Sequence, residues 1–260
     1  MKKIIWICVF SCASVFISQT SWADKNGKVS VATGFDSTSG TYGTGSTTNI
    51  LTIPVIGKYE ADTWLLKLTV PYLRISTIGG VIPGLGVGPM KKPGQVNVTT
   101  QSGLGDIVAA GTYYAIEGDE GTPGLDLTTK IKLPTANKDA GLGTGEVDYA
   151  LQADVYQSKD KTTLTASLGR KFLGSSAALP LNDVFYGSVG GSYRMSDKTS
   201  IGLNLDAAQA SSSSGSNLLE LSANLSHKLD KNRKIQGYVL KGLADGSPDT
   251  GLGVLITFVL

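Results

Sequence analysis

The sequence predicts an all-β fold, a closed antiparallel up-and-down barrel of about twelve strands crossing a bacterial outer membrane. Three observations predict it. A period-two pattern of apolar residues recurs, segment after segment, from residue 29 to the end of the chain. Short polar turns alternate with longer Gly/Ser/Pro-rich loops. An export signal precedes the first strand.

Lys2 and Lys3 open that signal, an apolar run follows at 4–10, and Ser21 and Ala23 place small residues at a cleavage site. The run falls short of the roughly 20 apolar residues a membrane helix needs. Residues 1–23 are therefore expected to be cleaved, leaving one barrel domain over 24–260 of 237 residues. Cys8 and Cys12 both leave with the signal, so the mature chain has neither disulfides nor cysteine metal ligands. Lipidation of Cys12 is the rival reading, and Phe10 opposes it where a small or aliphatic residue is wanted. Loss of Lys2 and Lys3 leaves 21 of the 23 basic residues against 21 acidic ones. A formally neutral chain lacks the basic footprint of a nucleic-acid binder. Mean hydropathy is +0.05, as alternating lipid-facing and lumen-facing residues give.

The alternation defines each strand in turn. Val29, Val31, Thr33 and Phe35 share a face in the first, and Leu51, Ile53, Val55 and Tyr59 in the second. Trp64, Leu66, Leu68, Val70 and Tyr72 oppose Lys67 and Thr69 in the third. Val108, Ala110, Thr112, Tyr114 and Ile116 form one face of the fourth. In the fifth, Leu125, Leu127, Thr129, Ile131 and Leu133 oppose Asp126, Thr128, Lys130 and Lys132. In the sixth, Tyr149, Leu151, Ala153 and Val155 oppose Asp148, Gln152, Asp154 and Tyr156. Further strands fit near 161–173, 184–195, 198–209, 217–228, 233–243 and 250–260. In the segment 233–243, Tyr238 and Leu240 compete with Ile235 and Val239 for the outer face.

Short turns fall at 60–63, 117–124, 158–161, 196–198 and 230–233. Longer loops fall at 36–46, 76–103, 135–145, 174–183, 209–216 and 244–249. Transmembrane barrels have short periplasmic turns, long outer loops and an even strand number, so both termini are expected in the periplasm. Tyr59, Trp64, Tyr114 and Tyr193 would form one aromatic belt, and Tyr72, Tyr149, Phe172 and Phe185 the other. A soluble sandwich would bury these rings between two sheets, but it has no need of alternating turn and loop lengths. Leu252, Val254, Ile256, Phe258 and Leu260 close the chain at every second position. This resembles the last strand of outer-membrane barrels, which is read by the barrel-assembly machinery and commonly ends in an aromatic residue; Leu260 departs from that.

Three segments carry a closer resemblance: Ser102-Gly103-Leu104-Gly105-Asp106, Leu133-Pro134-Thr135-Ala136-Asn137, and Gly143-Thr144-Gly145-Glu146-Val147-Asp148-Tyr149. With the closing strand after Pro248, they resemble the bacterial outer-membrane transporter family named for the meta-pathway of phenol degradation. The resemblance implies a barrel that moves small, aromatic or otherwise apolar, solutes.

Catalysis finds little footing. The single histidine, His227, sits at a predicted strand end beside a turn, without the partners a hydroxyl nucleophile requires. The runs at 84–88 and 141–145 are glycine-rich, but they lack Walker spacing and a following helix. No cofactor or metal constellation is expected. Lumen charges are instead the candidates for function: Lys67, Lys130, Lys132, Asp126, Asp148, Gln152 and Asp154. They form either an ordinary solvated wall or a selectivity zone. The apolar, Gly/Pro-rich loop 76–103 holds Pro83, Met90, Lys91 and Lys92. It either folds into the mouth as a constriction or lies outside with its lysines on lipopolysaccharide phosphates. The preferred function is passage of small solutes; a filled structural barrel and an acid-dependent barrel enzyme are the alternatives.

Overall fold

The structure is a computed structural model that describes residues 27–42, 46–77, 98–177, 179–212 and 215–260. The expected signal, 1–23, lies outside the described residues. The strands are β1 (Lys28–Gly40), β2 (Thr48–Glu60), β3 (Trp64–Thr77), β4 (Thr99–Leu104), β5 (Ile107–Ile116), β6 (Gly124–Leu133), β7 (Asp148–Lys159), β8 (Thr162–Phe172), β9 (Val184–Arg194), β10 (Thr199–Ala208), β11 (Leu218–Lys228), β12 (Arg233–Gly242) and β13 (Thr250–Val259). Each pairs antiparallel with its sequence neighbour, and β1 pairs with both β2 and β13, so the sheet closes. β4 and β5 both pair with β3, as two pieces of one strand. The result is a twelve-stranded barrel without a free edge.

The chemistry of β3 explains that division. Pro71 offers its neighbour no N–H. Tyr72 faces Leu104 on one side of it and Thr69 faces Val108 on the other, so residues 105–107 stand opposite only Val70 and Pro71. The extra residue is a bulge. Gly105 still donates its N–H to the Pro71 carbonyl at 2.8 Å. A second irregularity falls between Tyr114 and Ile116. The phase of the strand therefore changes twice, which corrects the single face expected from Val108 to Ile116: Ala110 is buried inward and Ile116 points out.

Outward residues form an apolar band. Leu66, Leu168, Leu203 and Val239 are 51%, 65%, 59% and 60% exposed, and they belong to a continuous row of such residues around the barrel. In water a patch of that size would drive aggregation; against lipid it is the surface the bilayer requires. Ile235 and Val239 take the outer face of β12, while Leu240 is buried inward. Tyr59 and Trp64 sit with ring centroids 5.2 Å apart. Tyr113, facing Trp64 across the sheet, stands outward where Tyr114 was expected. Tyr114 belongs inside, its hydroxyl donating to Glu60 at 3.1 Å.

The five short connections leave one end of the barrel (the turn end) and the longer loops the other (the loop end). Lys28 and Val259 both lie at the turn end, where the Leu260 N–H bonds the Val29 carbonyl. Strands outrun the expected boundaries at the loop end: 36–40, 76–77 and 99–103 are strand, not loop. These ends are polar because they rise past the hydrocarbon. They pair through hydroxyls, Thr48 with Thr77 at 2.8 Å and Ser76 with Thr100 at 2.9 Å.

Candidate functional site: the charged lumen

Inward side chains fall into slanting rows, because each strand's register places one lumen residue opposite another. One row is basic. Lys58 faces Lys67, Lys67 faces Ala110, Ala110 faces Lys130, Lys130 faces Ala150, and Ala150 faces Lys171. A second row is acidic. Asp126 faces Asp154, and the row continues through Ser167 and Ser188 to Asp206 and Glu220. The two run side by side, four residues apart, on β6, β7 and β8; the basic row ends there and the acidic row goes on to β11.

Between the rows a hydrogen-bonded chain joins three of the expected site residues. Lys130 Nζ donates to Gln152 Oε1 at 2.7 Å, and Gln152 Nε2 donates to Asp154 Oδ1 at 2.6 Å. Tyr186 donates its hydroxyl to the same Gln152 Oε1 at 2.9 Å. The ammoniums of Lys130 and Lys171 both stand 5.7 Å from the centre of the Tyr186 ring, within cation–π range. Asp126 Oδ1, opposite Asp154, is buried with no hydrogen-bond partner among the described residues.

Lys132 and Asp148 lie elsewhere. Lys132 Nζ pairs with Asp148 Oδ2 at 2.8 Å and with Asp106 Oδ2 at 3.2 Å, all three side chains being 10% exposed or less. Lys132 also donates to Thr144 Oγ1 at 3.0 Å. Asp106 Oδ1 accepts the Ala136 N–H, Thr135 Oγ1 bonds the Gly105 carbonyl, and Asp148 Oδ1 accepts the Gly174 N–H, each at 3.0 Å. The three family-like segments thus converge on one ion network. The bulge at 105–107, between β4 and β5, frees Asp106 to join it.

That network ties down the loop 134–147, which folds inward. Leu142 and Ala136 pack with Tyr42, Ile50, Leu73 and Ile75 in an apolar cluster at the loop end. Tyr42 is wholly buried, and burial holds its hydroxyl above the ordinary phenol range. The expected constriction residues, Pro83, Met90, Lys91 and Lys92, lie outside the described residues; the loop that packs inward among the described residues is 134–147. His227 bonds Thr199 through Nδ1 at 2.9 Å on the outer face near the turn end, away from the lumen charges. Among the described residues no group of His, Cys, Asp and Glu is arranged to hold a metal.

Sequence reading missed Asp106, Tyr186, Lys58 and Lys171. Lys58 alternates with the apolar face of its own strand and was legible. Tyr186 and Lys171 join Lys130 only through register, which period-two pattern does not carry.

An apolar exterior, closed sheet and charged interior define an outer-membrane β-barrel of the kind that channels use. Residues 21–259 match the family described as "Putative MetA-pathway of phenol degradation", and the chain belongs to it. Among solved structures, the fold is similar to a KdgM porin bound to disordered oligogalacturonate (11% identity, TM-score 0.51, covering 88% of this chain and 98% of that one). It is also similar to the transport unit of the autotransporter AIDA-I from Escherichia coli (11% identity, TM-score 0.52, covering 95% and 94%). The β domain of the Bordetella autotransporter Brka matches at 11% identity and a TM-score of 0.51, covering 91% and 100%. At these identities the likeness is one of fold. No curated protein sequence matches the chain.

Proposed function

We propose that the protein is an outer-membrane channel that passes small solutes through its lumen, with both termini in the periplasm and an export signal at 1–23. The observation that carries this reading is the wall itself. Lys67, Lys130, Asp126, Gln152 and Asp154 face inward along continuous rows, and opposed rows of charge are what a water-filled pore tolerates and a packed core does not. Lys67, Lys130, Asp126, Gln152 and Asp154 form its selectivity zone, with Lys132 and Asp148 holding the wall beside it. The solutes are small molecules, aromatic ones included, as the phenol in the family's description suggests. In the cell the barrel's partners are outer-membrane lipid, lipopolysaccharide and, through β13, the barrel-assembly machinery.

Refolded mature protein in a planar lipid bilayer tests the proposal. Discrete, reproducible current steps are expected; silence from protein shown to be folded by its heat-dependent gel mobility would overturn it. The apolar cluster at the loop end favours one second reading. There the mouth is shut and the protein is a structural barrel, and the same silence would support it.

A further inference from the structure

We infer that the lumen is a path for small organic anions, carboxylates above all, laid out by six lysines that climb from the turn end to the loop end. The inference rests on the channel reading and names its substrate class. Lys228 faces Lys234 across β11 and β12 beside the turn 229–232. Lys58 faces Lys67 across β2 and β3, also toward the turn end. Lys130 follows two strands further on in the same row, and Lys171 ends it at the tip of β8 beside the loop 173–183.

Counter-charge is unevenly supplied. Among the described residues, no carboxylate lies within ion-pair distance of Lys58, Lys67 or Lys234. The lumen acids Asp126, Asp154, Asp206 and Glu220 follow a different row, which meets the track at Lys130, where Gln152 links it to Asp154. Glu60, at the rim, accepts the Tyr114 hydroxyl and balances part of the charge on Lys58. A wall that sets ammoniums together and keeps carboxylates in another row repels itself unless something anionic enters. A cleft lined by one sign of charge concentrates the opposite sign from solution, and lysine-lined pores select anions. Lys67 and Lys130 were each legible as lumen lysines; the continuous track is a product of register. Ala110 and Ala150, the small residues between Lys67, Lys130 and Lys171, leave room along the row for a carboxylate to move from one ammonium to the next.

The test compares the wild-type barrel with the triple variant Lys58→Gln, Lys67→Gln, Lys234→Gln, both refolded and checked by heat-dependent gel mobility. Reversal potentials in a salt gradient read ion preference, and equilibrium dialysis of radiolabelled benzoate against detergent-solubilised protein reads binding without requiring current. Anion preference that falls roughly threefold or more in the variant is expected, with saturable benzoate binding that weakens as salt rises and vanishes in the variant. Current steps with no anion preference, or with a preference the variant retains, overturn the inference while the channel reading stands. Absence of current with saturable, lysine-dependent benzoate binding overturns the channel reading and keeps an anion site. Absence of both overturns the two together. If the triple variant does not fold, Lys67→Glu alone must lower anion preference, and an unchanged reversal potential overturns the inference.

Discussion

Lys132 and Lys67 point into the same barrel from adjoining rows, yet their surroundings differ in a way that sets their worth. Lys132 is closed in with Asp106 and Asp148. Removing its charge leaves two buried carboxylates facing each other, which costs about 3–5 kcal/mol for a pair broken from one side. Lys132→Met is therefore expected to lower the midpoint of urea unfolding markedly, whereas Lys67→Met, which strands no carboxylate, leaves it unchanged or raised. Equal midpoints for the two variants would mean that the ion network is not a structural tie. A milder effect belongs to the turn 229–232. Asp230 accepts the backbone N–H of Asn232 at 2.9 Å and meets the Arg233 guanidinium at 2.7 Å. The N–H bond first, then the guanidinium, hold its carboxyl below the ordinary range. A depressed carboxyl contributes stability above its unfolded value, near ~3.9, and loses it as pH falls through the folded value. Carbon-13 titration of Asp230 should give a midpoint under that of a free aspartate; a midpoint at or above it would remove the turn from the account.

Elements divide between those a sequence can show and those it cannot. Period two survives wherever one face meets lipid, so β6 and β7 emerge with Leu125, Leu127 and Leu151 outside and Asp126, Lys130 and Asp154 inside. It fails where the strand carries a bulge, because one extra residue at 105–107 turns every later side chain to the other face. It fails again above the hydrocarbon, where Ser37, Thr38 and Ser39 pair as strand without any apolar face. The inward loop was hidden for a third reason. Leu142 sits in a run of glycines that reads as surface, and only the Asp106–Lys132–Asp148 network shows what pulls it in. That loop also supplies the sharpest element-scale prediction. Deleting 138–142 removes Leu142 from the apolar cluster and widens the loop-end mouth, so single-channel conductance should rise above the wild-type step. An unchanged step would place the narrowest point deeper, among the lysines. Inner tyrosines matter to the same cross-section. Tyr186 lies on Gly169 opposite it, where an added Cβ would stand 2.5 Å from the ring, and Tyr156 and Tyr238 cover Gly124 and Gly253 likewise. Gly169→Ala would set its Cβ against both the Tyr186 ring and the Leu151 carbonyl, so it is expected to lower the midpoint of urea unfolding; an unchanged midpoint would show that ring and strand yield freely there.

At the scale of the whole molecule, closure and asymmetry together decide which way the barrel faces. With β1 paired to β13 along their length the sheet closes, Lys28 and Leu260 lie at the turn end, and only the other end carries connections long enough to shape a mouth. Barrels of this class keep short turns in the periplasm and long loops outside; in the proposed orientation Lys228, Lys234 and Lys58 lie toward the periplasm and Lys171 toward the medium. Orientation can be read directly, because the two native cysteines, Cys8 and Cys12, both precede residue 24. Once the proposed signal is cleaved, a single cysteine introduced after residue 23 is the one thiol present. Asp245 is exposed on the last loop and Lys231 on the last turn. In intact cells a membrane-impermeant maleimide should label Asp245→Cys and spare Lys231→Cys, and after lysis it should label both. Labelling of Lys231→Cys alone before lysis would reverse the barrel, placing Lys171 at the periplasmic end and Lys228 at the outer one. Anions arriving from the medium would then meet the Lys228–Lys234 pair first and the Tyr186 ring last.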